Sequence, residues 1–191
     1  MNTKPLIKLK NTALSYGLVA IFFHLFMALG VLSMFGLGLY MVELGYYDSW
    51  YKGSVALHKS IGICLLGVLI LRLLWRIMNK KPLQPAAKTK IEQLEQLAAH
   101  WMHLALYFIM FLLMVSGYLI STADGRGILV FDLFEVSAIS ALIENQEDIA
   151  GEIHLILAWC LIVSVAVHTL AAIKHHVINK DDTLKKMLGK L

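Results

Sequence analysis

The feature that most constrains this chain is a series of long stretches without a charged side chain. Uncharged stretches of 32, 28 and 21 residues follow Lys10, Glu95 and Glu152. A helix needs about 20 apolar residues to cross a bilayer. Hydrophobic residues make up 59% of the chain and charged residues only 16%, against roughly 45–50% and 25% in soluble domains. The sequence therefore predicts an integral membrane protein.

The hydropathy pattern divides into four spans. Within a bilayer, segments of this length satisfy their backbone groups only as helices. We therefore predict an all-α, four-helix transmembrane bundle that forms one domain over residues 1–191. The apolar stretch near the start is too long for the core of a signal peptide, so we interpret it as a retained first span. The predicted spans are residues 18–42, 55–77, 98–121 and 153–173.

Lysine and arginine are distributed very unevenly between the two sides of this bundle. An even number of spans places both termini and the loop between spans two and three on one side, which carries 13 Lys and Arg residues against three on the other. The positive-inside rule then predicts cytoplasmic termini in a bacterial inner membrane. The 13 are Lys4, Lys8, Lys10, Arg76, Lys80, Lys81, Lys88, Lys90, Lys174, Lys180, Lys185, Lys186 and Lys190, and the three are Lys52, Lys59 and Arg126.

The same distribution argues against nucleic acid as a partner. The net charge of +4 comes from residues beside apolar spans, and no polar basic domain is present to carry a duplex. Nine of the 13 acidic residues fall on the outer side. In the inner loop, Lys90–Gln96 has the pattern of a short surface helix.

Histidines are the residues most suggestive of chemistry. The chain has eight, and ionisable groups inside a membrane usually mark function. His154 and His168 are 14 residues apart, which is about 1400° of helical rotation, or 40° short of four turns, and a rise of roughly 21 Å. Two ligands on one helix face, one in each leaflet, suit two stacked haems. Six of the eight lie in or at the edges of spans: His24, His58, His100, His103, His154 and His168.

Each haem iron needs a second axial ligand at a matching depth. His58 opens span two on the side where His154 opens span four, so these two match. The depth of His168 matches either His24 on span one or His103 on span three, and spacing alone leaves both open.

Other residues could accommodate the haem itself. Arg72 is 14 residues after His58, so it shares that helix face at the depth of the inner haem, and we predict that it binds a propionate. Small residues would let helices part around a ring, although they also serve helix packing. Those available are Gly30, Gly36, Gly38, Gly62, Gly67 and Gly117.

These residues and several motifs resemble the bacterial cytochrome b561 family of four-helix dihaem proteins, over nearly all of residues 16–187. The pattern is also similar to the cytochrome b subunits of Ni-hydrogenase and formate dehydrogenase. The matching motifs are HLFMALG from His24, YDSWYKG at 47–53, LHKSIG at 57–62, LRLLWR at 71–76, HWMHLALY at 100–107, SGY at 116–118, the histidines after Ile153 and Val167, and KHHVINKDDTLKKM at 174–187.

The resemblance implies two haem b groups and assigns the ligands. It points to His24 and His168 for the inner haem and to His58 and His154 for the outer one. His103 then becomes a residue that supports or packs against a ligand. The resemblance also implies an oxidoreductase that moves electrons between a periplasmic donor and ubiquinone or menaquinone. Some relatives oxidise superoxide outside and reduce ubiquinone near the inner haem.

On this hypothesis the charged ends of the bundle meet the donor and the acceptor. Lys59, Lys52 and Arg126 could steer an anionic donor such as superoxide, whereas the nine acids on that face suit a basic periplasmic redox protein equally well. At the inner end, His175 could supply protons for quinone reduction. Lys174 and Trp101 are grouped with it at this end.

Two other interpretations stay open. The chain could be a membrane-anchor subunit whose partner carries the substrate chemistry, or a non-catalytic protein that handles haem or ions. The absence of acids from the span cores argues against an ion transporter.

Overall fold

Four long helices dominate the described part of the chain. The computed structural model describes residues 8–83, 86–87 and 89–188. Each of these four helices has the length and the apolar composition needed to cross a membrane. This confirms the predicted all-α membrane bundle. The helices are α1 (Leu18–Val42), α2 (Tyr51–Met78), α3 (Lys90–Ser121), α4 (Gln146–Val177) and the short α5 (Thr183–Met187).

The helix bounds differ from the predicted apolar spans except in α1. Helix α3 begins at Lys90 rather than at residue 98, because Lys90–Gln96 continues directly into the span. The short surface helix predicted there is therefore the first two turns of α3. Thr89 caps the new start, since its hydroxyl accepts a hydrogen bond from the Glu92 N–H at 3.2 Å and so satisfies one of the first free amides of the helix.

The four helices pack in the order α1, α2, α3, α4, and α1 and α4 touch over only a small area. A Cβ on Gly30 would lie 2.8 Å from the Leu65 side chain, so this glycine lets α1 and α2 approach closely. Most apolar side chains outside the core are exposed, as expected for a surface covered by lipid. The core comprises Met27, Val31, Leu65, Leu69, Leu106, Met110 and Leu161.

One end of the bundle gathers the chain segments before α1, after α2 and after α4. Asn11 Nδ2 donates to the Lys80 carbonyl at 2.9 Å, and the Leu83 N–H donates to the Ala13 carbonyl at 2.8 Å. Lys186 Nζ donates to the Leu83 carbonyl at 3.0 Å. We call this the inner end and the opposite one the outer end. Three residues of the predicted basic side lie outside the described residues: Lys4, Lys88 and Lys190.

The outer end carries a small β-hairpin that the sequence did not predict. Strands β1 (Ile128–Val130) and β2 (Phe134–Val136) pair antiparallel. The Phe131 N–H donates to Ser60 Oγ at 3.1 Å, and Ile128 and Val130 are buried. The hairpin therefore packs against the outer half of α2.

Candidate functional site

Four of the predicted histidines face one another in two pairs. The ring centroids of His24 and His168 lie 6.4 Å apart, and those of His58 and His154 lie 6.3 Å apart. Helix α4 contributes one histidine to each pair, and the other two come from α1 and α2. The helical rise between the two α4 histidines is roughly 21 Å, so one pair lies toward each end of the bundle.

The spacing within each pair can be compared with the space that a metal ion needs. Imidazole nitrogen binds such ions at about 2.0–2.1 Å, and the ring centre lies about 1.1 Å beyond that nitrogen. Two imidazoles on opposite sides of one iron therefore have centroids about 6.3 Å apart. The observed 6.4 and 6.3 Å would leave room for one iron held by both histidines of each pair.

His103 lies beside the inner pair. Its ring centroid is 5.0 Å from that of His168, which is shorter than an iron between the two rings would require. Its Nδ1 is 2.7 Å from the Ala99 carbonyl oxygen. A carbonyl only accepts, so Nδ1 carries the proton and anchors the ring to its own helix.

The hydrogen bonds of His154 orient it toward His58. Its Nδ1 lies 3.0 Å from the Leu113 carbonyl oxygen and 3.1 Å from Ser116 Oγ. Because the carbonyl accepts, Nδ1 carries the proton and the Nε2 lone pair is free to bind a metal. Sequence reasoning identified the SGY motif only as a match to a family and gave Ser116 no role. The motif places the small Ser116 hydroxyl beside His154.

His58 has a different environment. Its Nδ1 is buried without a hydrogen-bond partner in the described part of the chain. Buried polar atoms of this kind are uncommon and need an explanation.

Two glycines lie close to the outer pair. A Cβ on Gly38 would lie 3.5 Å from His58 Cε1, and one on Gly117 would lie 3.1 Å from His154 Cε1. Two of the predicted small residues therefore flank the outer pair.

The remaining predicted glycines have other surroundings. A Cβ on Gly62 would meet only Met34 at 3.9 Å, while Gly36 and Gly67 have nothing within 4 Å of such a carbon. Together with Gly30 in the α1–α2 contact, they do not line the histidine pairs directly.

Arg72 lies at the inner pair, at the depth that its spacing predicted. Its Nη2 donates to His24 Nδ1 at 2.8 Å. A guanidinium only donates, so Nδ1 accepts and the neutral ring carries its proton on Nε2. Coordination of iron through His24 Nε2 would require Arg72 to release this ring.

The structure separates the three outer cations. Lys52 and Lys59 line a groove of about 340 Å³ with the start of β1. Arg126 instead pairs with Asp124, with Nε donating to Oδ2 at 2.7 Å. Hydrogen bonds from the Arg126 backbone and side chain lower the pKa of Asp124 below its usual value. This carboxylate largely neutralises Arg126 and leaves the two lysines as the cations of the groove.

At the inner end, Lys174 and His175 share a polar cluster that includes Glu95, which sequence reasoning missed. Lys174 Nζ forms an ion pair with Glu95, and His175 Nδ1 lies 2.7 Å from Asp181 Oδ2. His175 Nε2 is 3.7 Å from Glu95 Oε2. Burial raises the pKa of Asp181, but hydrogen bonds from Thr183 and His175 outweigh it and the net shift is downward.

Trp101 does not join this cluster. Its side chain is 59% exposed, and its ring contacts His100 with centroids 6.0 Å apart. The cluster therefore ties the start of α3 to the end of α4 without the tryptophan that the sequence grouped with it.

Comparisons with known proteins agree with this architecture. The family model described as prokaryotic cytochrome b561 matches residues 15–190. The chain is 48% identical over 180 residues to cytochrome b561 homolog 2 of Escherichia coli (strain K12), covering 94% of each chain. It is 29% identical over 144 residues to a Yersinia pestis protein named probable superoxide oxidase CybB, covering 75% of this chain and 78% of that protein. The chain, with its four membrane helices and facing histidines, belongs to the prokaryotic cytochrome b561 family, whose members are haem b proteins that transfer electrons in bacterial membranes.

Proposed function

We propose that this chain holds two b haems, an outer one between His58 and His154 and an inner one between His24 and His168. It would pass single electrons across the bacterial inner membrane between a periplasmic donor and quinone. The observation that carries the proposal is the two pairs of facing imidazoles, at 6.3 and 6.4 Å, which share one continuous helix. Haem supplies a one-electron couple at its iron.

In this function the protein would hold the two haems and shield them from other reactants. If both histidines of a pair hold one haem, its iron would have no position free for a further ligand, which would suit electron transfer better than oxygen chemistry at the metal. The Leu113 carbonyl fixes the tautomer of His154 and raises its basicity. Phe35 of α1 and Trp159 of α4 meet edge to face at 5.0 Å, and Trp159 lies between His154 and His168 along α4.

The groove at Lys52 and Lys59 supports an anionic donor at the outer end. Two cations without a salt bridge in the described residues attract small anions and raise their encounter rate. The relative named as a probable superoxide oxidase favours superoxide, which would give up one electron and leave as oxygen.

A matched pair of variants tests this donor. Lys59→Gln should lower the rate of reduction by superoxide about tenfold at low salt, because it removes a groove cation. The double variant Asp124→Asn/Arg126→Gln should change it little, because it removes an ion pair that carries no net charge. Stopped-flow absorbance at several ionic strengths measures both rates. Equal rates in the two variants would rule out steering by the groove.

The cluster around His175 supports a quinone as the electron acceptor at the inner end. This quinone is either ubiquinone or menaquinone. Quinone reduction consumes two electrons and two protons, and an imidazole between the carboxylates of Asp181 and Glu95 can hold a proton and pass it on. His175→Gln should slow quinone reduction and alter its pH profile. His176→Gln is the matched control because the neighbouring ring is exposed and makes none of these contacts. Unchanged kinetics in His175→Gln would remove this role.

A second candidate function, an anchor for a soluble redox partner, is supported by the outer hairpin. Leu133 is 82% exposed and Phe134 53% exposed, and Asp132 and Glu135 lie among them. Such a mixed apolar and acidic surface suits a basic periplasmic protein. Copurification of one such protein in a fixed ratio would favour this function over direct oxidation of a small donor.

The haem count is the primary test. The pyridine haemochrome method should give two b haems per chain in the purified protein. His154→Ala and His24→Ala should each retain one. His100→Ala should retain two, because this exposed histidine belongs to neither pair. One haem in the unmodified protein would contradict the two-pair assignment, and none would favour the ion-handling interpretation.

A further inference from the structure

Two arginines of α2 lie against one tyrosine of α3 near the inner pair. The guanidinium carbons of Arg72 and Arg76 are 5.2 and 5.1 Å from the centre of the Tyr107 ring. The arginines are four residues apart and so occupy one face of the helix. Like charges in this arrangement repel each other, and the aromatic ring offsets only part of that cost.

Among the described residues, no carboxylate forms a salt bridge with either arginine. The salt bridges within the described residues involve Arg126, Lys174, His175 and Lys185, but neither of these two. Both guanidiniums belong to half-buried side chains in a membrane helix. Charged groups in such positions are normally paired. The protein therefore presents two fixed positive charges that call for anionic partners.

The position of the charges narrows the choice of anion. Arg72 contacts His24, so the first charge lies beside an inner-pair histidine, and Arg76 lies one turn closer to the inner end. Tyr16, from the segment before α1, lies beside both arginines. Burial raises the pKa of its phenol, although Arg76 and Arg72 act in the opposite direction. Its hydroxyl therefore stays protonated and can donate a further hydrogen bond.

We propose that Arg72 and Arg76, spaced by Tyr107, bind the two carboxylates of the inner haem, and that Arg72 exchanges His24 for a carboxylate as haem enters. The inference rests on the proposed function. When Arg72 leaves Nδ1, the ring proton moves from Nε2 to Nδ1, which frees the Nε2 lone pair without any net change in protonation. Haem binding and ligand release are thus coupled through one side chain.

The competing occupant is a phospholipid phosphate at the inner leaflet. A phosphate could reach Arg76, but it offers one anionic group, and Arg72 lies a turn deeper against a histidine. Two carboxylates on one rigid molecule match two arginines at a fixed spacing more closely.

Esterified haem provides the test, because it removes the carboxylate charges and keeps the ring and the iron. The background is His154→Ala, in which only the inner pair can hold haem. Apo-protein in detergent is titrated spectroscopically with haem b and with its dimethyl ester, alone and combined with Arg72→Gln or Arg76→Gln. Arg126→Gln is the control, since that arginine is paired at the outer end.

We expect each inner arginine variant to bind haem b about ten- to a hundredfold more weakly, while the control binds normally. The ester should bind the background protein about as weakly, and the arginine variants should not weaken its binding further. Equal weakening of haem b and ester by the variants would overturn the inference, as would an unaffected affinity for haem b. Loss of a copurifying phosphatidylglycerol in Arg76→Gln, with haem affinity unchanged, would assign the site to lipid.

Two outcomes keep this inference separable from the proposed function. If the background protein binds no haem b, the proposed function fails. If it binds haem b and its ester equally, only the carboxylate site fails. The ester comparison needs no arginine variant, so it remains decisive even where a variant does not fold.

Discussion

Gly117→Ala should weaken haem binding at the proposed outer site by a predictable amount. The added carbon would lie 3.1 Å from Cε1 and 3.4 Å from Nδ1 of His154. Contacting carbons stay about 3.5–4.0 Å apart, so the ring must move away by about 0.5 Å. Both groups that hold Nδ1, the Leu113 carbonyl at 3.0 Å and Ser116 Oγ at 3.1 Å, belong to the same helix as Gly117. The ring therefore moves away from its hydrogen bonds as well.

A shift of this size stretches those hydrogen bonds to about 3.5 Å, where they contribute little. Their loss costs about 1–1.5 kcal/mol, or about five- to tenfold in haem affinity. Spectroscopic haem titration in a His24→Ala background reports the outer site alone. Gly36→Ala is the matched control, since its new carbon meets nothing within 4 Å. If the two glycine variants bind haem equally well, the carbon added at Gly117 does not displace the His154 ring from its hydrogen bonds.

Three further outcomes follow from other contacts. Ser60→Ala should speed hydrogen exchange of residues 128–136, because Ser60 Oγ accepts from the Phe131 N–H and anchors the hairpin. The pKa of folded Asp181 lies below its unfolded value of 3.8, so its stabilisation of the tail is full above that value and is lost as pH falls through the folded pKa. Exchange near His175 should therefore rise on acidification below about pH 4, and should rise less in Asp181→Asn, where only the Glu95 contacts remain to be lost. Haem should bind to the outer pair faster than to the inner one, because only His24 must first be released by Arg72; stopped-flow haem binding to the two single-pair variants would compare the rates.

The four helices and the outer histidine pair were predictable from local rules. An uncharged run of about 20 residues has one stable form in lipid, and helical periodicity fixes which side chains share a face. The 14-residue spacing of His154 and His168 therefore indicated one ligand at each depth. Periodicity within one helix cannot choose a partner on another, which is why it left both His24 and His103 open for His168.

Features that depend on contacts between distant segments were not predictable. The hairpin strands are only three residues long, too short for a hydropathy signal, and they are stabilised by α2. Glu95 lies 79 residues from Lys174, so nothing local links the two. The tautomer of His154 depends on a carbonyl of α3, and backbone atoms carry no residue-specific signal.

Pairing, more than position, distinguishes the cations that could bind ligands from those that hold the fold together. A charge count treats Lys174, Arg126 and Arg72 alike, although Glu95 neutralises the first and Asp124 the second. Arg72 has no such carboxylate in the described residues and contacts a histidine instead. An unpaired charge in a membrane helix lowers stability unless a ligand compensates it. The sites of greatest electrostatic cost in the protein alone are therefore those where an anionic ligand would stabilise it most.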